Sequence, residues 1–572
     1  MSKWMIYNKK GDFAGIGQRY GVDQVLAKIM VNRDICQPEQ IQEYLYPNLQ
    51  MLGDGAKLKD MARAVSLLKD AICEGKNICI IGDYDIDGIQ STYILHQGIL
   101  RCGGKVTYQI PHRVEDGYGI NVHMIEKCVE DGVDFIITCD NGIAAADAIQ
   151  AAKDANMTVI VTDHHEVPFV EKQGKTVELL PPADAIVNPK QKNCAYPNKN
   201  ICGAVVAWKV IIQLYQAMEI PMQEAYEFIE NAAFATVGDV MELRGENRTI
   251  VALGLKELRQ TKNIGMQTLI EKCGLTDKPI QAYQIGFVLG PCINASGRLD
   301  SAVKSLQLLE AKSPQEATVL AEELKTLNEE RKAMTEAGIQ QAVQMVGTEH
   351  NQENLVQVVY LKDIHESVAG IIAGRLRETY EKPVFVLTDG EDGQLKGSGR
   401  SVEGFSMYEE MNKCRDLFSK FGGHPMAAGL SMPKENLEAF KRQINENTKV
   451  TIEDIASVVH IDVALPFYYL TPEFVAQLEK LEPFGNGNPK PVFAQRGVEF
   501  RDAKPIGKQG QYTKVTAVGE DGCQVEALYF GDKQDVIRQS GTYRILYYPQ
   551  VNSYGYKDTV QIVITDMESQ IK

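Results

Sequence analysis

Residues 77–88 read NICIIGDYDIDG: a short apolar run, NICII, that stops at Gly82 and gives way to Asp83, Asp85 and Asp87 before Gly88. The run is apolar at consecutive positions, the pattern of a strand buried on both faces. The same pattern recurs further along the chain. KVTYQIPHR (105–113), VDFIITCDNG (133–142), TVIVTDHHE (158–166) and ADAIVNPK (183–190) are further β-rich runs. The intervening stretches STYILHQGILRCGG (91–104), NVHMIEKCVEDG (121–132) and AAADAIQAAKDA (144–155) read as helices. Strand and helix in alternation predict an α/β fold with a doubly wound parallel sheet.

The chemistry lies at the end of each run. NICII leads to Asp83, Asp85 and Asp87. VDFIIT leads to Cys139-Asp140-Asn141-Gly142, and TVIV to Thr162-Asp163-His164-His165-Glu166. In an open parallel sheet the carboxyl ends of the strands face the ligand crevice. Asp83, Asp85, Asp87, Asp140, Asp163, His164 and His165 are therefore expected at one spot. Five carboxylates there repel one another unless cations neutralise them. Carboxylate oxygens with imidazole suit manganese or magnesium better than a soft metal. Alternate spacing in an extended segment puts the first three aspartates on one side. A bridging carboxylate would then hold two ions about 3.5–4 Å apart, the arrangement of two-metal phosphoryl hydrolysis. A single Asp-x-Asp after a strand is usually a loop or helix cap, and a single His-His pair is usually structural. Three such clusters at successive strand ends are not explained that way. Asp239, in AAFATVGDVMEL, follows an apolar helix and is a further candidate, with helix capping as its ordinary role.

The 572 residues carry a formal charge of −16, from 60 Lys plus Arg and 76 Asp plus Glu. That excludes a globally basic footprint, so a polyanion must be met by a local basic site or by bound cations. No apolar run approaches the ~18–20 residues of a membrane span; GAVVAWKVII (203–212) is interrupted by Lys209. The opening MSKWMIYNKKGDF lacks a signal-peptide apolar core. Twelve cysteines without a Cys-x-x-Cys pair indicate reduced thiols in a cytoplasmic protein, not a zinc ribbon or disulfide framework.

At ~150 residues per domain the length suggests three or four domains. Residues 1–75 read as an N-terminal helical segment packing on the α/β catalytic domain at 76–260. A helical region at 261–345 ends in one long charged stretch from 313, with Ser313 as N-cap and Pro314 at the first helical position. Roughly 30 residues at 1.5 Å rise span about 45–50 Å, as a connector between domains would. A second α/β unit, 346–450, contains LVQVVYLKDI, VAGIIAGRLRETY, PVFVLTDG and LKGSGRS. From 451 to 572, short strands at regular spacing separated by Gly, Asp and Asn predict an all-β barrel.

At Asp163-His164-His165 the sequence resembles the DHH phosphoesterase superfamily. Over nearly the whole chain it resembles the RecJ family, single-strand-specific 5′→3′ DNA exonucleases of bacteria. GDYDIDGIQST (82–92), PHRVEDGYG (111–119), CDNGI (139–143), ATVGDV (235–240), INASGRLDSA (293–302), LNEERK (327–332), FGGHPMAAGL (421–430) and LEPFGNGNPKPVF (481–493) occur in the family's order. The DHH motifs alone are shared with inorganic pyrophosphatases, oligonucleotide phosphatases and cyclic-dinucleotide phosphodiesterases. LEPFGNGNPKPVF before a β-rich domain is the more specific signal.

The resemblance implies a DHH catalytic domain, a long connector helix, a DHHA1-type substrate-binding domain and a C-terminal oligonucleotide-binding (OB) barrel that binds DNA. It implies Asp83, Asp85, Asp87, Asp140, His164 and Asp239 as ligands of two Mn2+ or Mg2+ ions, with Asp85 and Asp140 as catalytic bridges. It places His165 at the scissile phosphate or leaving oxygen, and Asp163 behind a histidine as its orienting partner. Arg113, Arg298, Ser398 and Arg400 would form a pocket for the 5′ phosphate, and His424 would grip a phosphate. Ser398 and Arg400 lie in a glycine-flanked stretch that reads as a phosphate-binding loop. The implied protein is a monomer that releases 5′-mononucleotides from single-stranded DNA with a free 5′ end, in recombination and repair. A RecQ-type helicase and a single-strand-binding protein are its implied partners, and no membrane is involved.

Two departures bear on DNA grip. Ile364-His365-Glu366-Ser367 stands where the family has an aromatic-His-x-Gly pattern, and Pro291-Cys292 where Pro-Arg is common. The barrel region 451–572 carries 12 Lys plus Arg against 16 Asp plus Glu. Strand binding there would rest on Lys504, Lys508 and Lys514 and on aromatics among Phe530, Tyr543, Tyr547, Tyr548, Tyr554 and Tyr556. The alternatives are a phosphodiesterase acting on short oligoribonucleotides or cyclic dinucleotides, and an inactive scaffold of the same fold. The complete set of carboxylates argues against the second.

Overall fold

The computed structural model describes residues 3–113, 119–172, 175–348, 354–390, 392–507, 509–531, 534–537, 541–552 and 558–570. They fall into two compact units. The smaller is Pro291–Val459 together with Lys3; the larger is Trp4–Gly290 with His460–Lys572.

The larger unit opens with four helices, α1 (Phe13–Tyr20), α2 (Gln24–Asn32), α3 (Pro38–Leu45) and α4 (Met61–Cys73). Five parallel strands come next: β1 (Asn77–Ile81), β2 (Lys105–Gln109), β3 (Phe135–Cys139), β4 (Thr158–Thr162) and β5 (Ala185–Val187). Their order is β2-β1-β3-β4-β5. Cys79, Ile81, Ile136, Val159 and Val161 pack on Met124, Cys128, Ile149 and Ala152 of the helices at one face. Two further helices, α5 (Ile86–Arg101) and α6 (Gly203–Ala217), cover the other. Because β2 and β3 flank β1, the chains leaving β1 and β3 diverge and open a crevice at their carboxyl ends. The apolar α6 runs through the interior. Its Lys209 is 1% exposed and is neutralised by Glu246 at 2.7 Å, with the carbonyl of Gly53 also accepting at 2.7 Å. No helix among the described residues is long and apolar enough to cross a membrane.

The smaller unit carries the long helix α8 (Pro314–Thr348), 35 residues, or about 52 Å at 1.5 Å rise. Its sheet has the order β9-β10-β8-β7-β6, with β6 (Gln357–Tyr360), β7 (Val384–Asp389), β8 (Leu395–Arg400), β9 (Lys420–His424) and β10 (Ala427–Met432). Only β6 and β7 are parallel. Ala342 and Val346 of α8 share a core with Val359, Leu361 and Ile372, the last on α9 (Glu366–Tyr380). The stretch LKGSGR is strand β8, paired on both sides, which corrects its reading as a loop. Its backbone groups are used by the two ladders, so anion binding there falls to side chains.

In the larger unit, β11 (Phe493–Ile506), β12 (Tyr512–Val518), β13 (Gln524–Tyr529), β14 (Tyr543–Asn552) and β15 (Thr559–Ser569) form a barrel. The order is β11-β12-β13-β15-β14, and pairing of β14 back to β11 closes it. Leu26, Ile29, Met30, Ile41 and Tyr44 of α2 and α3 share the barrel's core with Phe474, Leu478, Phe493 and Tyr547, while α4 packs on α6. Residues 1–75 thus pack on the barrel as well as on the α/β domain, where Arg248 also donates to the carbonyl of Tyr44. Periodicity shows that a helix has an apolar face, not which surface receives it.

Of the barrel aromatics, Tyr543 and Tyr547 are core, 2% and 0% exposed, and are withdrawn as stacking candidates. Tyr548 packs against the same core with Lys490 Nζ 5.2 Å from its ring. Phe530 is 48% exposed, edge-on to Tyr512 at 5.0 Å. Lys504 pairs across strands with Lys514, whose Nζ is 2.6 Å from Glu526. Lys508, Tyr554 and Tyr556 lie outside the described residues.

Candidate metal centre

The chain leaves β1 and enters α5 at once. Asp85 is the N-cap of α5, and its Oδ1 accepts from the amides of Asp87 (3.0 Å) and Gly88 (3.1 Å). Asp87 therefore sits in the first helical turn, which corrects the picture of three aspartates alternating along an extended segment. Capping by Asp85 starts the helix before the third is reached. A Cβ at Gly88 would lie 2.4 Å from the carbonyl oxygen of Asp83, so this tight turn requires glycine. Asp87 accepts from the first amides of α6, Gly203 (2.6 Å) and Ala204 (2.7 Å). Since α6 lacks a side-chain cap of its own, Asp87 serves as one and ties the two helices together.

Asp140 follows β3 in the left-handed conformation, φ 61°, which aspartate tolerates better than most residues. His164 follows β4. Its Nε2 faces three carboxylates: Asp140 Oδ1 at 3.1 Å, Asp87 Oδ2 at 3.5 Å and Asp239 Oδ2 at 3.7 Å. Asp239 arrives as the C-cap of α7 (Ile229–Gly238). Three groups have ligand atoms within 4.8 Å of one another: Asp83, Asp85 and Asp140; Asp87, His164 and Asp239; Asp140, His164 and His165. The structure thus brings together the acids and histidines at the strand ends, and Asp239 with them.

The electrostatics match a cation site. Burial, then the charge of Asp85, raises Asp83 to about 8. Burial, then Asp87 and Asp85, raises Asp239 to about 8. Asp140 is driven well above the carboxylate range by burial and by Asp87, Asp85 and Asp83. Its Oδ1 is buried and accepts no hydrogen bond. His164 is lowered, chiefly by burial. A buried carboxylate oxygen lacking a donor, among crowded carboxylates and an imidazole, fits Mn2+ or Mg2+.

These shifts make stability depend on pH. Carboxyls raised above their ordinary 3.8 to about 8 lose folding free energy as pH rises through that window. In EDTA the melting temperature is therefore expected to fall by several degrees between pH 5 and pH 8, and excess Mn2+ to reverse the fall. Melting that is independent of pH and metal would count against the cluster.

Asp163 stands behind the histidines. Its Oδ1 accepts from the His164 and His165 amides (2.7 and 3.1 Å) and lies 2.8 Å from His165 Nδ1; its Oδ2 accepts from the Ile143 amide at 2.9 Å. Burial alone would raise Asp163, but His165 and the Ile143 amide hold it below the usual range. Burial alone would lower His165, but Asp163, then Asp87 and Asp239, lift it to about 9. The pair is a carboxylate fixing an imidazolium.

Arg113, in the turn after β2, stacks its guanidinium 5.0 Å from the Tyr84 ring and lowers Asp83 electrostatically. The other phosphate candidates belong to the smaller unit. Ser398 and Arg400 share one face of β8 by their spacing of two. A Cβ at Gly370, on α9, would lie 2.8 Å from Arg400 Nη2 and 3.4 Å from Ser398 Cβ. Arg298 Nη1 donates to the carbonyl of Ser367, at the start of α9, at 2.8 Å. Arg298, Ser398 and Arg400 thus gather at the amino end of one helix, where an anion is favoured. Of the departures, Ser367 is buried at that helix start, and Cys292 is 2% exposed beneath Asn328 Nδ2 at 3.3 Å, so neither adds a phosphate contact of its own. His424 ends β9 and is exposed.

Three segments match known families: residues 77–236 the DHH family N-terminal domain, 353–449 the DHHA1 domain and 461–566 the RecJ OB domain. The single-stranded-DNA-specific exonuclease RecJ of Bacillus subtilis (strain 168) is 32% identical over 570 residues, spanning 99% of this chain and 70% of that protein. The chain belongs to the RecJ family. It is a single-stranded-DNA-specific exonuclease and a metal-dependent hydrolase. The RecJ of Escherichia coli (strain K12) is 30% identical over 535 residues, 89% of this chain and 90% of that one. The crystal structure of RecJ from Thermus thermophilus in complex with Mn2+ superposes with a TM-score of 0.84 at 26% identity, covering all of this chain and 80% of that one.

The RecJ-type segment LEPFGNGNP has a structural task that its composition does not announce. Asn486 Nδ2 donates to the carbonyl of Val240 at 2.8 Å, and the Leu243 amide donates to the Asn486 carbonyl at 2.7 Å. A Cβ at Gly485 would lie 2.7 Å from Leu243 Cδ1. The turn therefore clamps the chain just after Asp239. Gly203 is the second residue that sequence reasoning missed. A Cβ there would lie 2.7 Å from Asp140 Cβ and 2.8 Å from its Oδ1. Neither glycine carries a chemical group, so no motif of acids or histidines could reveal them.

Proposed function

We propose that this exonuclease degrades single-stranded DNA from the 5′ end and releases 5′-mononucleotides. Two divalent ions, Mn2+ or Mg2+, would be held by Asp83, Asp85, Asp87, Asp140, His164 and Asp239, with Asp87 also the anchor of α6. When bound, such ions lower the pKa of water and offset charge on the phosphate. The observation that carries the reading is His164 Nε2 facing Asp140, Asp87 and Asp239 at 3.1–3.7 Å at the sheet's switch point.

The chain's own groups supply the remainder. Asp163 holds the His165 imidazolium, which can donate a proton to the leaving 3′ oxygen. Arg298, Ser398 and Arg400 of the smaller unit are assigned to the 5′ phosphate, the guanidinium forks matching its oxygens; Arg113 of the larger unit and His424 of the smaller are each assigned a phosphate contact. Lys504 and Phe530 are the barrel's remaining candidates for strand contact. The proposed setting is cytoplasmic recombination and repair by a monomer, fed by a RecQ-type helicase and a single-strand-binding protein. The proposed divisions are a DHH domain at 76–260, a DHHA1 domain at 346–450 and the OB domain at 451–572.

The test is a nuclease assay on long strands labelled at the 5′ or 3′ end, with Mn2+ or EDTA, comparing 5′-phosphate, 5′-hydroxyl and duplex ends. Mononucleotides should appear first from the 5′ label on single strands, fastest with a 5′ phosphate, and not at all in EDTA. Cleavage confined to fragments of a few nucleotides would favour the short-oligonucleotide phosphodiesterase instead.

A further inference from the structure

Tyr283 and Phe287 lie one helical turn apart, the spacing that puts side chains on one face. Their rings are stacked, centroids 4.8 Å apart at 26°, yet they are 61% and 59% exposed. The backbone beneath them, Ile285–Leu289, makes a π-helical turn, a feature that is rare and concentrated at functional sites. Both rings border a groove of about 1120 Å³ within the larger unit. Gly238 and Val240, on either side of Asp239, also line it. Val240 is a β-branched residue in the left-handed region, φ 55°, and is 66% exposed. Such strain persists where the surroundings enforce it, often at functional sites.

The groove's charge identifies an occupant. In a chain of net −16, the lining has five cationic side chains, including Lys256, Arg259, Lys480 and Lys490, against Glu479 and Glu482. That local excess of three positive charges beside two open ring faces suits a polyanion with flat bases. Single strands are held by this combination of cationic groove and aromatic platform. The groove also reaches the metal cluster's own elements. Cβ atoms at Gly238 and Gly290 would lie 2.5 and 3.0 Å from Cδ1 of Ile86, the residue between Asp85 and Asp87.

We propose that Tyr283 and Phe287 form a base-stacking platform for single-stranded DNA in this groove, next to the metal centre. The inference rests on the metal-centre reading above and adds to it the place where bases are held.

The experiment is an abasic scan with the full chain. Binding is measured in EDTA by fluorescence anisotropy, using 5′-phosphorylated oligothymidylates with one abasic nucleotide at successive positions. The parent protein is expected to lose about tenfold in affinity at one or two positions. Tyr283→Ala with Phe287→Ala should lose about the same on the intact strand and no longer distinguish the abasic ones. The parent's scan needs no variant, so misfolding cannot imitate the result. A flat scan, or a double variant as position-sensitive as the parent, overturns the platform. So does a variant that binds every strand normally but loses a protein partner, which would make the rings a protein-docking patch. Polarity of cleavage by the parent on intact strands tests the 5′→3′ reading separately, so the two failures are distinguishable.

Discussion

Asp140→Asn is expected to abolish Mn2+-dependent hydrolysis of single-stranded DNA, by about 10³-fold or more, with the chain still folded and DNA binding largely intact. Asp140 is the carboxylate common to two of the three ligand groups, and its Oδ1 is buried without a donor. The amide keeps the size of the side chain and tolerates the left-handed backbone at φ 61°. What it removes is the anionic oxygen. It also removes one of several crowded carboxylates, so in EDTA the variant should melt no lower than the parent, and higher toward pH 8. That opposition is typical of residues kept for function at a cost to stability. Hydrolysis and Mn2+ affinity are measured beside the melting temperature. Unchanged hydrolysis would sink the ligand assignment. Lost hydrolysis with a collapsed melting temperature would point to a structural role instead.

Gly203→Ala should be nearly as damaging, although glycine offers no chemistry. The added Cβ would stand 2.7 Å from Asp140 Cβ and 2.8 Å from Oδ1. The helix cannot easily withdraw, because the Gly203 amide is held by Asp87 at 2.6 Å. Either Asp140 shifts or α6 loses its cap, and a displacement near 1 Å at a reacting centre can cost about 10²-fold in rate. The measurement is the Mn2+ dependence of the nuclease rate. A fall of about 10²-fold with weakened Mn2+ binding is expected. Parent-like activity would show that the site is looser than these distances imply.

Much of this centre is legible in the residues. The apolar runs at 77–81, 135–139 and 158–162 are strands β1, β3 and β4, and their terminal acids and histidines converge because parallel strands end on one side. Other parts are not. Spacing assigns Asp87 to an extended segment, because alternation fits one. Capping by Asp85 is local competition between helix and strand that spacing does not encode. The KGSGRS stretch resembles a loop because glycines mark loops as readily as close packing. In β8, Gly399 makes room for Phe385, whose Cε1 would lie 2.6 Å from a Cβ there. The core that joins α1–α3 to the barrel spans more than 400 residues of sequence, beyond the reach of any periodicity. The −16 charge misleads about the substrate for the same reason. It averages a carboxylate cluster suited to cations with a groove lined by excess positive charge.

Anomalous diffraction from crystals grown with Mn2+ tests the assignment of the metal centre most directly. Manganese should lie against Asp140 and His164, with Asp83, Asp85, Asp87 and Asp239 completing its surroundings. Manganese bound elsewhere, with Asp140 and His164 making no contact to it, would contradict the assignment.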